Sequence, residues 1–354
     1  MSNFSDLRSA YPALREALPT VRLTDLPTPV RSVSLAHASG TRTVLIKEDN
    51  LSAGLYGGNK VRKLEYLLAR AILRKRKTIA TFGAVGSHHA LATTLYARQL
   101  NLHTIAFLSH QSRTRDIAAT LSTHLAAETE LVSYGGSYAE RIATLRQHLR
   151  GRRAMIIPAG GSSWFGNVAF MDAAFEFAAQ VSRGECPLPD RVYVATGTMG
   201  TAVGLALGFA LCKLPTEVHA IRITPSSITD ETLLRRLATK TAYMLHRLDN
   251  NIPDTLARNI KLTLRHEFFG SGYAHSNADT ERAIALAERD LGMTLEATYT
   301  GKAMAALLHD IGVASNRGMT PLFWQSYHAA ALPVVASERV SKDALPRDFL
   351  RYFC

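Results

Sequence analysis

Short apolar runs alternate with helical stretches along almost the whole chain, and this alternation constrains the fold more than any other feature. Runs at 78–82 and 191–196 read as strands buried in a parallel sheet, and strands are also expected at 103–109, 130–134 and 154–158. Further strands are expected at 43–48, 217–224 and 320–324. Between them, apolar residues recur at helical spacing over 62–76, from the 83–89 loop to about residue 100, and over 115–126 and 138–149. Helices are also expected after Gly166 to about residue 181, up to residue 211, over 277–291 and from the 299–302 turn. Residues 20–35 read as an extended lead-in broken by prolines, 6–18 as a short amphipathic helix, and 228–266 as mostly helical with a break near 250–253. The order predicts an α/β fold with open parallel sheets.

At 354 residues, 47% hydrophobic and 20% charged, the chain has the composition of a soluble globular enzyme with a sizeable core. No apolar run approaches the roughly 18 to 20 residues of a membrane helix, and the start lacks a basic region followed by an apolar one, so no secretory signal is expected. Within 6–18 the only acidic residues are Asp6 and Glu16, which leaves a transit peptide open. A cytoplasmic location is the expectation. Cys186, Cys212 and Cys354 are odd in number and widely spaced, against both a disulfide framework and a zinc site, and no metal is expected. The net charge of +12 is densest at Arg70, Arg74, Lys75, Arg76 and Lys77, which close a predicted helix, where the macrodipole favours cations. Without interleaved aromatics or a nucleic-acid motif, that charge reads as a solvated face, with neither nucleic acid nor membrane as a partner.

Three loops could carry chemistry. In the first, Leu55-Tyr-Gly-Gly-Asn-Lys60 runs into the 62–76 helix, so Lys60 stands where a Gly-rich turn becomes rigid. A lysine whose charge is partly suppressed attacks carbonyls and forms Schiff bases, as with pyridoxal phosphate; the alternative is a surface lysine at a helix start. In the second, Thr196, Gly197, Thr198, Met199, Gly200 and Thr201 precede a small-residue helix. Their N–H groups and hydroxyls suit a phosphate, although small residues also serve close helix–sheet packing. In the third, Ser87, His88 and His89 sit at a helix N-terminus that would favour a carboxylate, or Ser87 is simply an N-cap. No P-loop, dinucleotide fingerprint or G-x-S-x-G elbow is present.

Taken in order, GGNKVRKLEYLLA, the GAVGSHH loop, PAGGSSWFGN, ATGTMGTAVG, GSGYAHSN and YTGKAMAALL resemble the motifs of the D-cysteine desulfhydrase/1-aminocyclopropane-1-carboxylate (ACC) deaminase family. That family belongs to the tryptophan synthase β-like, fold type II pyridoxal-phosphate enzymes. The resemblance covers residues 23–324. It implies two open parallel-sheet α/β domains, a large cofactor-binding one at 1–60 and 171–354 with a small one at 61–170 inserted in it. It also implies a homodimer and a small amino-acid substrate. By the same resemblance, Lys60 holds the cofactor and moves the α-proton, and Asn59 contacts it. Residues Thr196–Thr201 bind the phosphate. Ser87, with His88 and His89 beside it, lies on the substrate-carboxylate loop, and Tyr273 and Tyr299 face the substrate.

The departures bear on the substrate. The family's Gly-Gly-Val-Gln-Ser-Asn-His loop is here Gly83-Ala-Val-Gly86-Ser87-His88-His89, two amides fewer. Ser163 replaces an asparagine. After Tyr299, ACC deaminases carry glutamate and desulfhydrases a small hydroxyl residue; Thr300 is on the desulfhydrase side. Gln325-Ser326-Tyr327-His328 replaces His-Thr-Gly-Gly, so Ser326 keeps a hydroxyl for the pyridine nitrogen while Tyr327 and His328 are expected to crowd the loop. The resemblance thus implies β-elimination from D-cysteine or a related β-substituted amino acid to a 2-oxo acid and ammonia. The net positive charge would suit an anionic substrate such as cysteate. The alternatives are an ACC deaminase, a β-replacement synthase and a non-catalytic pyridoxal-phosphate-binding protein.

Overall fold

The computed structural model describes residues 6–37, 40–114, 116–328, 332 and 345–353. The chain divides into two compact units, one of residues 6–18, Thr24–Lys63 and 162–328, the other of Pro19–Leu23, Leu64–Gly161 and 345–353.

In the first unit, strands β1 (Val30–His37) and β2 (Gly40–Lys47) form a hairpin. Helix α3 (Asn59–Leu73) begins here and continues into the second unit. Chain order then resumes with α7 (Trp164–Ser182), β7 (Arg191–Thr196), α8 (Gly200–Leu211), β8 (Glu217–Arg222), α9 (Glu231–Leu248), β9 (Leu262–Arg265), α10 (Ala278–Leu291), α11 (Thr300–Gly312) and β10 (Pro321–Trp324). The sheet order is β1-β2-β10-β7-β8-β9, parallel except that β1 runs antiparallel to β2. Because β2, β10, β7 and β8 are parallel, the loops after them emerge at one edge, where open α/β sheets bind ligands. Tyr193, Ile221 and Phe323 of the sheet pack in one core cluster with Met304 and Leu307 of α11.

The second unit holds β3 (Thr78–Ala84), α4 (His88–Gln99), β4 (His103–Ser109), α5 (Ile117–Ala126), β5 (Glu130–Ser133), α6 (Tyr138–Leu149) and β6 (Ala154–Ile157). Its sheet, β5-β4-β3-β6, is wholly parallel. Residues 345–353 belong to it because Leu345, Phe349 and Tyr352 are buried against Val85, Leu108 and Leu121. Helix α6 starts at residue 138 because Ser137 and Glu140 form a reciprocal capping box.

Several elements differ from the sequence expectation. The stretch 262–265 is a strand, not helix, since pairing with β8 overrides a weak local preference. The extended lead-in becomes β1 from Val30 onward. Residues 6–18 form two single turns, α1 (Leu7–Ala10) and α2 (Leu14–Ala17), with Asp6 capping the first. Helix α3 begins at Asn59, earlier than expected, so Lys60 lies inside its first turn. The expected helix start at 115, together with Cys354 and the first five residues, falls outside the described residues. Among those residues no helix is long and apolar enough to cross a membrane, and no cluster of metal-ligating side chains occurs.

Candidate active site

Position 60 is set by the turn before it. Gly58 has φ +91°, and a Cβ there would lie 2.5 Å from the Ser326 carbonyl oxygen, so both conformation and space demand glycine. Its N–H donates to the Asp49 carbonyl at 2.8 Å and to Ser52 Oγ at 3.0 Å. The next N–H, of Asn59, donates to the Ser326 carbonyl at 3.2 Å, while Asn59 Nδ2 donates to Thr201 Oγ1 at 3.1 Å. That second bond ties the start of α3 to the start of α8.

Four lysines in this unit have their charge opposed by burial, and only one of them is chemically available. Lys47 Nζ donates to the Thr28 carbonyl at 2.7 Å, Glu176 at 2.5 Å and Gln180 at 2.6 Å. Lys302 Nζ is held by the carbonyls of Phe269 (2.6 Å) and Gly272 (3.0 Å), and burial pushes its pKa down to about 8. Lys63 donates to Ser162 Oγ at 3.3 Å; burial, then the Lys60 charge, pushes it well below the usual lysine range. Lys60 makes no hydrogen bond or ion pair among the described residues. Burial pushes its pKa down to about 8, against the pull of the Glu296 carboxylate. A free amine near neutral pH is what attack on a carbonyl requires.

The 196–201 loop follows β7. Met199 takes the left-handed conformation (φ 64°) and caps α8, turning the chain so that the helix N-terminus is reached within one residue. A Cβ on Gly200 would stand 2.5 Å from Ser162 Oγ and Asn167 Oδ1 and 2.9 Å from Lys63 Nζ. Ser162 Oγ also pairs with Thr198 Oγ1 at 2.7 Å and accepts the Gly200 N–H at 3.2 Å. Two hydroxyls, a lysine and a helix N-terminus therefore converge on the space that glycine leaves open. Hydroxyls and a helix N-terminus of this kind suit an anion, and the group is called the anion cup below. Thr196 turns away from it, donating to the Val194 carbonyl at 3.2 Å, and the Gly197 carbonyl accepts from Thr224 and Thr229. Lys63 and Ser162 were not singled out from the sequence: one reads as a helix charge, the other as part of a loop.

Gly200→Ala tests the cup. It should weaken phosphate-ester cofactor binding by at least about tenfold, read by cofactor titration of the folded apoprotein.

Tyr273 and Tyr299 share a hydrogen bond of 2.6 Å between their hydroxyls, with rings edge-on at 6.0 Å. Burial raises both phenol pKa values, so both stay protonated. Thr300 is buried, and its hydroxyl donates to Glu296 at 3.1 Å while accepting the Glu296 N–H at 3.2 Å. It caps α11 with Glu296, whose carboxylate also accepts the N–H groups of Thr298, Tyr299 and Thr300. The Ser326 hydroxyl has no partner among the described residues. His328 does not crowd the loop. Its ring folds back onto Tyr56, centroids 4.3 Å apart, and Nδ1 accepts the Gly57 N–H at 2.9 Å.

The second unit holds the loop before α4. Ser87 is the N-cap, its Oγ accepting the Ala90 N–H at 3.2 Å; His88 is half-buried and His89 buried. Gln111 packs against position 86: its Oε1 accepts the Gly86 N–H at 3.2 Å and its Nε2 lies 3.0 Å from where a Cβ would be. Tyr352 pins Gln111 through both its backbone N–H (3.3 Å) and carbonyl (3.1 Å).

A mostly parallel sheet with an available lysine and an anion cup at its carboxyl edge defines a fold type II pyridoxal-phosphate enzyme. The family model described as "Pyridoxal-phosphate dependent enzyme" matches residues 21–317. The chain belongs to this family, within the group of D-cysteine desulfhydrases and ACC deaminases. It is 31% identical to a D-cysteine desulfhydrase of Yersinia enterocolitica over 90% of this chain and 95% of that protein. It is 30% identical to a Pyrococcus furiosus protein provisionally named as an ACC deaminase, over 88% and 92%. A crystal structure of an ACC deaminase homologue superposes with TM-score 0.71 at 27% identity, covering 90% of this chain and 94% of that one.

Proposed function

We propose that the protein eliminates the β-substituent of D-cysteine or a related small amino acid, giving a 2-oxo acid and ammonia. The observation that carries this reading is the uncommitted Lys60 amine, with its pKa at about 8, at the same sheet edge as the anion cup. The residues present fit the cofactor. The Gly200 cup, with Lys63, Ser162, Thr198 and the start of α8, would take its phosphate, Asn59 and Thr201 would flank it, and Ser326 offers a hydroxyl to the ring nitrogen. When bound, pyridoxal phosphate supplies a carbonyl for amines and a sink for the electrons of an α-carbanion. Lys60 Nζ would hold the cofactor, and a pKa close to working pH would suit it as the base for the α-proton. Tyr273 and Tyr299, both protonated, can donate a proton to a leaving thiolate or carbanion. Ser87 and the N–H groups of α4 suit the substrate carboxylate.

Thr300 favours elimination over ring opening in this reading. A glutamate there would bring a second carboxylate against Glu296, which burial already makes costly to ionise. The similarity to proteins named for ACC deamination supports ring opening as the second reading. The test is a panel of D- and L-amino acids with ACC included, followed by visible absorption and product analysis. Sulfide, ammonia and pyruvate from D-cysteine are expected. Turnover of ACC to 2-oxobutyrate without activity on cysteine would favour the second reading. Capture of a second nucleophile in place of ammonia release would mark a β-replacement enzyme, and bound cofactor with no spectral response to any amino acid a non-catalytic protein. A cytoplasmic homodimer belongs to the same proposal.

A further inference from the structure

The turn before Lys60 is built on two glycines, which hold no conformation by themselves. The Asp49 carbonyl and Ser52 Oγ take the Gly58 N–H, and the segment after β10 takes the N–H on either side of it. The Gly57 N–H donates to His328 Nδ1 at 2.9 Å and the Asn59 N–H to the Ser326 carbonyl at 3.2 Å, one bond on each side of Gly58. Since Nδ1 accepts, the imidazole is neutral and carries its proton on Nε2. Its face lies on Tyr56, and both side chains are buried, so water does not compete for the bond. Burial also pushes the His328 pKa down, which keeps the acceptor lone pair available.

We propose that His328 is a positioning residue for Lys60: by accepting the Gly57 N–H it fixes the Gly57–Gly58 turn and with it the place of the Lys60 amine. This rests on the reading of Lys60 as the cofactor-bearing lysine. A phenylalanine at 328 would keep the stacked ring and remove the acceptor. An asparagine can present its Oδ1 near the position of Nδ1, whereas glutamine offers its oxygen further out, near Nε2.

The experiment compares His328→Phe, His328→Asn and His328→Gln with wild type. Amide hydrogen exchange over 55–60 is measured in the apoprotein and pyridoxal-phosphate affinity by titration. His328→Phe and His328→Gln should speed exchange over 55–60 and weaken cofactor binding, each by about tenfold, with His328→Asn close to wild type in both. Should His328→Phe not fold, the Asn and Gln pair decides the same question. Wild-type exchange and affinity in folded His328→Phe or His328→Gln, or no rescue by asparagine, overturns the proposal. Mapping the cofactor to its lysine in the wild type tests the Lys60 reading separately, because the exchange result does not depend on it.

Discussion

Replacing Lys60 by alanine is expected to remove both the visible absorption of bound cofactor and turnover. The cost should be at least about a thousandfold in kcat, since covalent attachment and proton transfer are lost together. The neighbouring lysines are poor substitutes. Lys302 and Lys47 are held by carbonyl and carboxylate oxygens, and Lys63 lies at the anion cup. The variant should fold, because no hydrogen bond or ion pair of Lys60 is lost. Absorption and steady-state rates check this directly, and full activity in the variant would sink the assignment.

Arg62→Leu should destabilise the first unit by about 3–5 kcal/mol, as removing one partner from a buried ion pair does. Arg62 is buried and bonds Asp49 at 2.7 Å and Glu176 at 2.9 Å; Glu176 in turn holds Lys47, and Asp49 accepts the Trp324 Nε1–H at 2.7 Å. With Lys47 Nζ donating to three acceptors, the site holds its ammonium form even though burial lowers its pKa. Burial alone would raise the Glu176 pKa, but the charges of Arg62 and Lys47 outweigh it and bring it to about 2, from an ordinary 4.5. Because the folded value is the lower one, this carboxylate stabilises fully above pH 4.5, and its contribution fades as pH falls toward 2. At neutral pH it is worth about 3 kcal/mol. Chemical denaturation at pH 7 should show the Arg62→Leu loss, and Glu176→Gln should flatten the decline in stability below pH 4.5.

Much of this was legible in the sequence where local signals and tertiary needs agree. Residues 103–109 and 191–196 are apolar runs with turn residues beyond them, and the strands keep those bounds. Residues 138–149 carry their own capping box. The strand at 262–265 was not legible, because its only strong cue is pairing with β8. The site shows the same division. The Lys60 turn and the 196–201 loop announce themselves by glycine, whereas Lys63, Ser162 and Gln111 matter through neighbours far away in the chain. The Thr300 hydroxyl is engaged by Glu296 at the start of α11. His328 was expected to crowd its loop and instead satisfies the Gly57 N–H. Neither partnership leaves a local pattern.

Lys60, and no other charge-suppressed lysine, is expected to carry the cofactor. Borohydride reduction of the pyridoxal-phosphate-loaded protein, followed by peptide mass mapping, tests it most directly. The reduced cofactor should be found on the peptide containing Lys60, with Lys63 and Lys302 unmodified. Attachment to Lys63 or Lys302, or no reducible attachment in a protein saturated with cofactor, would contradict the account.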